Sequence, residues 1–201
     1  MKVLAIETSS ASASIAVAAA GEIVAACRFD APRGRGAEVF TLLDEMRTAW
    51  AGSDRLAIGL GPGSYNGLRV ACALASSVQM ALGLELATAP SCCLLDVDEH
   101  NYCAIGDARG GRIWFATVES RRLAAEIELL PPDECLRLTK ASAAPLYRVG
   151  EISGFEHLPV AVPDAAVLAL LAPDLPSTDA SRVEPIYLKP PHITAPRPGR
   201  P

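Results

Sequence analysis

The ten residues Gly61-Pro-Gly-Ser-Tyr-Asn-Gly-Leu-Arg-Val70 constrain this chain more than any other stretch. A short apolar run, Leu56-Ala-Ile-Gly-Leu60, precedes them and reads as a strand. Residues 71–82 follow, uncharged, with helical spacing and Gly83 as a stop, so the helix spans roughly 66–82. Gly61, Gly63 and Gly67 mark backbone that takes a positive φ or is approached too closely for a Cβ. A strand, a glycine turn and a helix start also present free N–H groups to an anion. Two phosphate motifs nevertheless fail here. A P-loop needs Gly-Lys-Ser/Thr, whereas Leu68 and Arg69 follow Gly67. The dinucleotide fingerprint needs a closer third glycine and an acid about twenty residues on, where Ala87 stands. Two readings stay open: an anion cradle, or a tight connection whose glycines let the helix pack closely.

Composition narrows the classes. The chain has 201 residues, half of them hydrophobic, enough for one large domain or two small ones. A net charge of −5 argues against a large basic surface for nucleic acid. The six cysteines (27, 72, 92, 93, 103, 135) lack Cys-x-x-Cys spacing and read as small buried hydrophobes in a reducing compartment. Met1-Lys-Val-Leu-Ala-Ile opens a strand and is too short for a signal segment. No uncharged apolar run of about 18 residues reads as a membrane span. The expectation is a cytoplasmic protein.

In chain order, residues 2–7, 14–20 and 22–29 read as three strands, with Gly21 in a hairpin and Glu7-Thr-Ser-Ser-Ala-Ser12 as a polar turn. A basic linker, 32–36, leads into an amphipathic helix at 37–51, where Val39, Leu42, Leu43, Met46 and Trp50 form one stripe and Gly52 the stop. Phe40 falls off that stripe, beside Asp44 and Arg47. In the second helix Ala71, Leu74, Ala75, Val78 and Leu82 form the core stripe, while Val70, Ala73, Ser77, Met80 and Ala81 line the other faces. A helix without a charged face is buried all round or half buried in a partner.

Residues 85–89 read as a strand, and Asp96-Val-Asp-Glu-His100 as an acidic helix end or a metal cluster. Residues 102–107 and 113–119 form a hairpin around Ala108-Arg-Gly-Gly111. Asp107 is there either to reach a cleft or to fix the turn through its own backbone bonds. Beyond lie a short helix at 133–138, a strand at 146–149, a helix at 163–171 opened by Pro163, and a loop at 177–182. The tail 190–201 is proline-rich. A three-strand meander followed by helices points to the actin/hexokinase-like (ribonuclease H-like) α/β fold, with two lobes of mixed sheet and a trimmed second lobe. The expected divisions are 1–101, 102–189 and the tail 190–201.

The block 61–70 closely resembles the Gly-Pro-Gly-Ser-Phe/Tyr-Thr-Gly-Val/Leu-Arg-Ile/Val signature of the TsaB (YeaZ) family. Leu4-Ala-Ile-Glu-Thr8, Ile105-Gly-Asp-Ala-Arg109 with Trp114, and Glu184-Pro-Ile-Tyr-Leu-Lys189 resemble three further segments in that family's order. Glu7 departs from the family's usual Asp, and Arg35 and Thr41 stand where a histidine and a proline are usual. The resemblance implies a subunit that partners the TsaD ATPase in making threonylcarbamoyladenosine on transfer RNA. A TsaE-like ATPase is a second implied partner. It implies a partner interface carrying Phe40, Arg47, Gly67, Arg69, Val70, Ala73, Ser77, Met80 and Ala81, with Gly61, Pro62, Gly63, Ser64 and Gly67 as a structural block. No tightly bound cofactor is implied, with ATP or ADP at a partner interface left open.

The fold also implies a nucleotide cleft at Glu7, Thr8, Ser9, Asp107 and Arg109, and sequence places no lysine beside Glu7 and Asp107. Histidines 100, 157 and 192 form no His-x-x-x-His, and no Gly-x-Ser-x-Gly elbow occurs, so peptidase chemistry has no support. The leading expectation is a non-catalytic partner subunit. The alternatives are an independent small ATPase or kinase of the same fold, and a homodimeric regulator using the same helices.

Overall fold

The computed structural model describes residues 1–30 and 37–189. The basic linker 32–36, Arg35 included, and the proline-rich tail lie outside the described residues. The chain opens with β1 (Lys2–Glu7), β2 (Ser12–Ala19) and β3 (Glu22–Asp30), paired antiparallel in sequence order. Ala20 and Gly21 both take positive φ, +53° and +85°, as a two-residue hairpin requires. Helices α1 (Ala37–Glu45) and α2 (Arg47–Trp50) follow, then β4 (Arg55–Gly59), α3 (Tyr65–Leu82) and β5 (Glu85–Ala89). Strands β1, β4 and β5 are parallel, giving a five-stranded mixed sheet of order β3-β2-β1-β4-β5.

A second five-stranded sheet is built from β6 (Tyr102–Asp107), β7 (Ile113–Glu119), β8 (Arg122–Leu123), β9 (Glu128–Leu130) and, beyond α4 (Pro132–Ala141), β10 (Leu146–Val149). Strand β10 runs parallel to β6, while β7 pairs antiparallel with β6, β8 and β9. The chain then enters α5 (Ala165–Leu171), which packs on β1 and β2. A segment C-terminal to the second sheet therefore belongs, by packing, to the first.

Side-chain alternation explains why one sheet accepts helices on both faces. On one face Val3, Ala5, Ala16, Ala18, Ala57 and Ala87 meet α5 through Ala165, Leu168 and Ala169. On the other, Leu4, Ile6, Ile15, Val17, Leu56 and Ile58 meet α1 and α3 through Val39, Leu43, Ala71 and Leu74. The alanine face lets α5 approach closely, and the larger face fills the wider gap to two helices. Arg55, buried on β4, locks the following segment down. Its guanidinium donates to the carbonyls of Ala172 (2.6 Å) and Leu175 (2.8 Å) and pairs with Glu85. Thr178 N–H then bonds Leu86 O, so chain runs beside β5.

All four expected helices differ from the sequence expectation. The helix expected over 37–51 breaks at Met46, where the Trp50 indole N–H takes the Leu43 carbonyl (2.7 Å) that a continuous helix would offer to Arg47. Helix α3 begins at Tyr65, and Leu82, placed in the core stripe, is exposed in its last turn. Helix α4 extends over Pro132–Ala141 rather than 133–138. Helix α5 starts after Asp164, whose carboxylate accepts from Ala166 N–H (2.8 Å), so a carboxylate cap rather than proline opens it. Among the described residues no helix is long and apolar enough to cross a membrane.

The close packing of α5 gives a stability prediction. Ala169→Leu, which adds three carbons to the alanine-lined layer, should destabilise the protein by about 1–3 kcal/mol. Chemical denaturation checks it, and an unchanged midpoint would mean the layer has room.

Candidate functional site

Four separate stretches, singled out in the sequence, meet around one cleft of about 1190 Å³. They are the turn after β1 (Thr8 to Ala11), the glycine block, the β6–β7 turn, and residues 186–189.

The glycine block is held by close backbone approach. A Cβ on Gly63 would lie 2.1 Å from the Ser9 carbonyl oxygen, and one on Gly67 1.9 Å from that of Thr8. Gly61 has φ +95°, a conformation that L side chains rarely adopt. The peptide before Pro62 is cis. Hydrogen bonds complete the seam: Ser64 N–H donates to Ser9 O (2.6 Å) and the Thr8 hydroxyl to Gly67 O (2.8 Å). Ser91 grips the other end, accepting Gly61 N–H on its Oγ (2.8 Å) and donating its own N–H to Gly61 O (2.6 Å). Ser64 caps α3, its Oγ accepting from Gly67 N–H (3.4 Å). The N–H groups of Gly61, Ser64 and Gly67 are thus engaged within the protein.

The cleft holds charges of both signs. Asp107 accepts Arg109 N–H on Oδ1 (2.7 Å) and pairs with the same guanidinium (3.1 Å). Arg109 has φ +62°, so Asp107 fixes the turn through backbone bonds, the turn-fixing role read in the sequence, while lining the cleft. Lys189, which sequence spacing puts far from both acids, reaches the same wall and donates from Nζ to Arg109 O (2.5 Å). That corrects the expectation of no lysine beside the cleft. Tyr187 and Tyr65, both lining the cleft, meet with their rings tilted by 32° and centroids 5.1 Å apart, and Arg69 lies over Tyr65 at 5.4 Å. Tyr187, Lys189, Trp114 and Glu151 also line the cleft although sequence reasoning did not select them. The Glu184–Lys189 resemblance signalled Tyr187 and Lys189, and the Ile105–Trp114 resemblance signalled Trp114; Glu151 had no sequence signal.

Glu7 is elsewhere. Its side chain is fully buried behind the turn and does not line the cleft, in contrast to Thr8 and Ser9. Oε1 accepts Ser9 N–H (2.6 Å), while Oε2 and the nearby Ser9 Oγ are buried without a hydrogen-bond partner. Burial pushes the Glu7 carboxyl above the ordinary carboxylate range, opposed by the polar groups of Ser9 and Ser91. Of the acidic stretch 96–100, Asp96 pairs with Arg28 and Glu99 accepts from the Tyr147 hydroxyl.

The helical candidates divide by exposure. Ala73, Ser77, Met80 and Ala81 are exposed on α3, Met80 to 88 %, and Val70 is half-buried beside the cleft. The Ser77 hydroxyl bonds back to Ala73 O (2.8 Å), which leaves a face without a charged group over 70–82. Phe40 is 56 % exposed on α1, and Arg47 on α2 pairs with Asp44 at 2.6 Å. The six cysteines are free thiols, four of them buried.

Two mixed sheets with this strand order and a cleft between them define the actin/hexokinase-like (ribonuclease H-like) fold. Within that class the chain is similar to YeaZ from Pseudomonas aeruginosa, with 24 % identity and a TM-score of 0.72, covering 93 % of this chain and 99 % of that one. A second structure, an uncharacterized protein with similarity to peptidase YEAZ from the same organism, gives 23 % identity and a TM-score of 0.75. It covers 94 % of this chain and 99 % of its own. No protein-family model matches the sequence, and no curated protein does. The likeness establishes a YeaZ-like fold over nearly the whole chain.

Two substitutions probe this site. Gly63→Ala sets a methyl against a backbone carbonyl that cannot swing away, and should cost about 1–3 kcal/mol in a denaturation titration. Unchanged stability would mean the turn yields freely. Glu7 adds a pH test. Its carboxyl binds its proton more tightly in the folded chain, so this contribution is full below about pH 4.5 and fades as pH rises toward the folded value. Glu7→Gln lacks the titration, so its stability relative to the parent should rise between pH 4 and pH 7. Parallel profiles would refute a raised carboxyl.

Proposed function

We propose that this chain is a TsaB (YeaZ)-type accessory subunit, non-catalytic by itself. It would support a TsaD-type ATPase in transferring threonylcarbamoyl to adenosine of transfer RNA. The observation that carries this reading is the outward face of α3. Ala73, Ser77, Met80, Ala81 and Leu82 are exposed on a helix uncharged from Val70 to Leu82. A solvated helix normally carries charge on its outer face, and small residues allow a second helix to approach closely. Phe40 is likewise exposed, on α1, which packs with α3 on the same face of the sheet. The four family-like segments converging on one cleft support the family reading, and the structural likeness to YeaZ supports the fold beneath it.

A small ATPase or kinase is the second reading, favoured by Thr8, Ser9, Asp107, Arg109 and Lys189 lining one cleft. The two readings separate in one set of measurements. The accessory reading expects no ATP turnover from the purified chain, and a complex on chromatography with the organism's TsaD-type protein. Turnover that disappears in Asp107→Ala would establish the second instead.

Ala73→Arg tests the docking face directly. A charge and a long side chain placed in a close helix contact should weaken the complex by at least about a hundredfold. Circular dichroism and melting of the isolated variant should stay near the parent, since Leu68, Ala71, Leu74 and Ala75 form the buried stripe. Parent-like binding would move the interface off α3, and an unfolded variant would place Ala73 in the core.

A further inference from the structure

Glu7 ends β1, opposite Ser14 of β2, and its carboxyl contacts both flanks of the strand-to-helix connection. On one flank, Oε1 holds the Ser9 N–H at 2.6 Å, at the turn whose carbonyls lie on Gly63 and Gly67. On the other, Oε2 occupies the place where a side chain at position 59 would begin. A Cβ built on Gly59 falls 1.7 Å from Oε2 and 2.8 Å from Ser91 Oγ, the atom that accepts Gly61 N–H. The carboxyl is therefore wedged between the end of β4 and the turn that α3 starts against.

We infer that Glu7 is a positioning residue: its carboxyl fills the volume vacated at Gly59 and sets the Thr8–Ser9 turn at the spacing from which α3 departs. The longer Glu side chain reaches that volume from the end of β1, and the absence of a Cβ on Gly59 makes room for it. Its effect on α3 passes through the backbone of residues 8 and 9, which Ser64 N–H and the Thr8 hydroxyl tie to the helix start. This holds whatever binds the outer face of α3, so it stands or falls apart from the proposed partner.

The test is a size-exchange cycle on the full chain, comparing Gly59→Ala, Glu7→Ala and the double variant, with Glu7→Gln as the isosteric control. Gly59→Ala alone should melt well below the parent, by at least about 5 °C. The double variant should melt above Gly59→Ala, because removing the carboxyl removes the overlap. In amide spectra, Glu7→Ala should shift the Ser64 and Gly67 resonances, and Glu7→Gln should leave them near the parent positions. A double variant that melts no higher than Gly59→Ala, or fails to fold, overturns the inference. Ser64 and Gly67 amides unmoved in Glu7→Ala would overturn it equally, because the turn would then be set without the carboxyl.

Discussion

The structure rests on a backbone-to-backbone contact: the carbonyls of Thr8 and Ser9 lie where the side chains of Gly67 and Gly63 would be. Backbone groups approach this closely only where one partner has no Cβ, and the approach sets where α3 begins. From there α3 runs to Gly83, whose φ of +67° closes it with an N–H bond to Gln79 O. The helix start is thus fixed by the first turn of the chain, about 55 residues upstream.

The sheet beneath obeys a complementary division. One face is nearly all alanine and receives α5, while the other carries leucine, isoleucine and valine and receives α1 and α3. That division draws the chain back across the first sheet after it has built the second. Arg55 secures the return by donating to two carbonyls of the returning segment. Ile186 N–H bonds Leu60 O, and Lys189 reaches Arg109 O, so the returning chain touches both sides of the cleft.

Charges at that cleft are largely turned toward one another. Asp107 serves Arg109, Lys189 serves a backbone carbonyl, and Arg69 covers Tyr65. From Ala73 to Leu82 the outer face of α3 presents the opposite condition, exposed apolar and small groups with no charge to satisfy. A ligand in the cleft would compete with the Asp107–Arg109 pair and the Lys189 bond, whereas a second helix on the later turns of α3 would cover mainly apolar and small groups. That difference is the physical reason for reading the chain as a docking subunit before reading it as an ATPase.

Local chemistry in the sequence determined a good deal. Apolar runs and turn residues gave the first three strands, the strands either side of the glycine block and its helix, and the hairpin at 102–119, and with them the fold class. The glycines declared that close approach or positive φ was needed, and each of the two proved to apply at different positions. What approached them was not legible, because the Thr8 and Ser9 carbonyls belong to another part of the chain. The same holds for Lys189, which sequence separates from Asp107 by 82 positions and packing brings to one wall. The fold implied a cleft role for Glu7, but its side chain packs behind the turn in the space left by Gly59. Periodicity assigned Leu82 to the core, yet the helix outruns the sheet and leaves its last turn uncovered. Sequence fixes what each segment can form; which groups meet depends on chain reversals that only the packed fold decides.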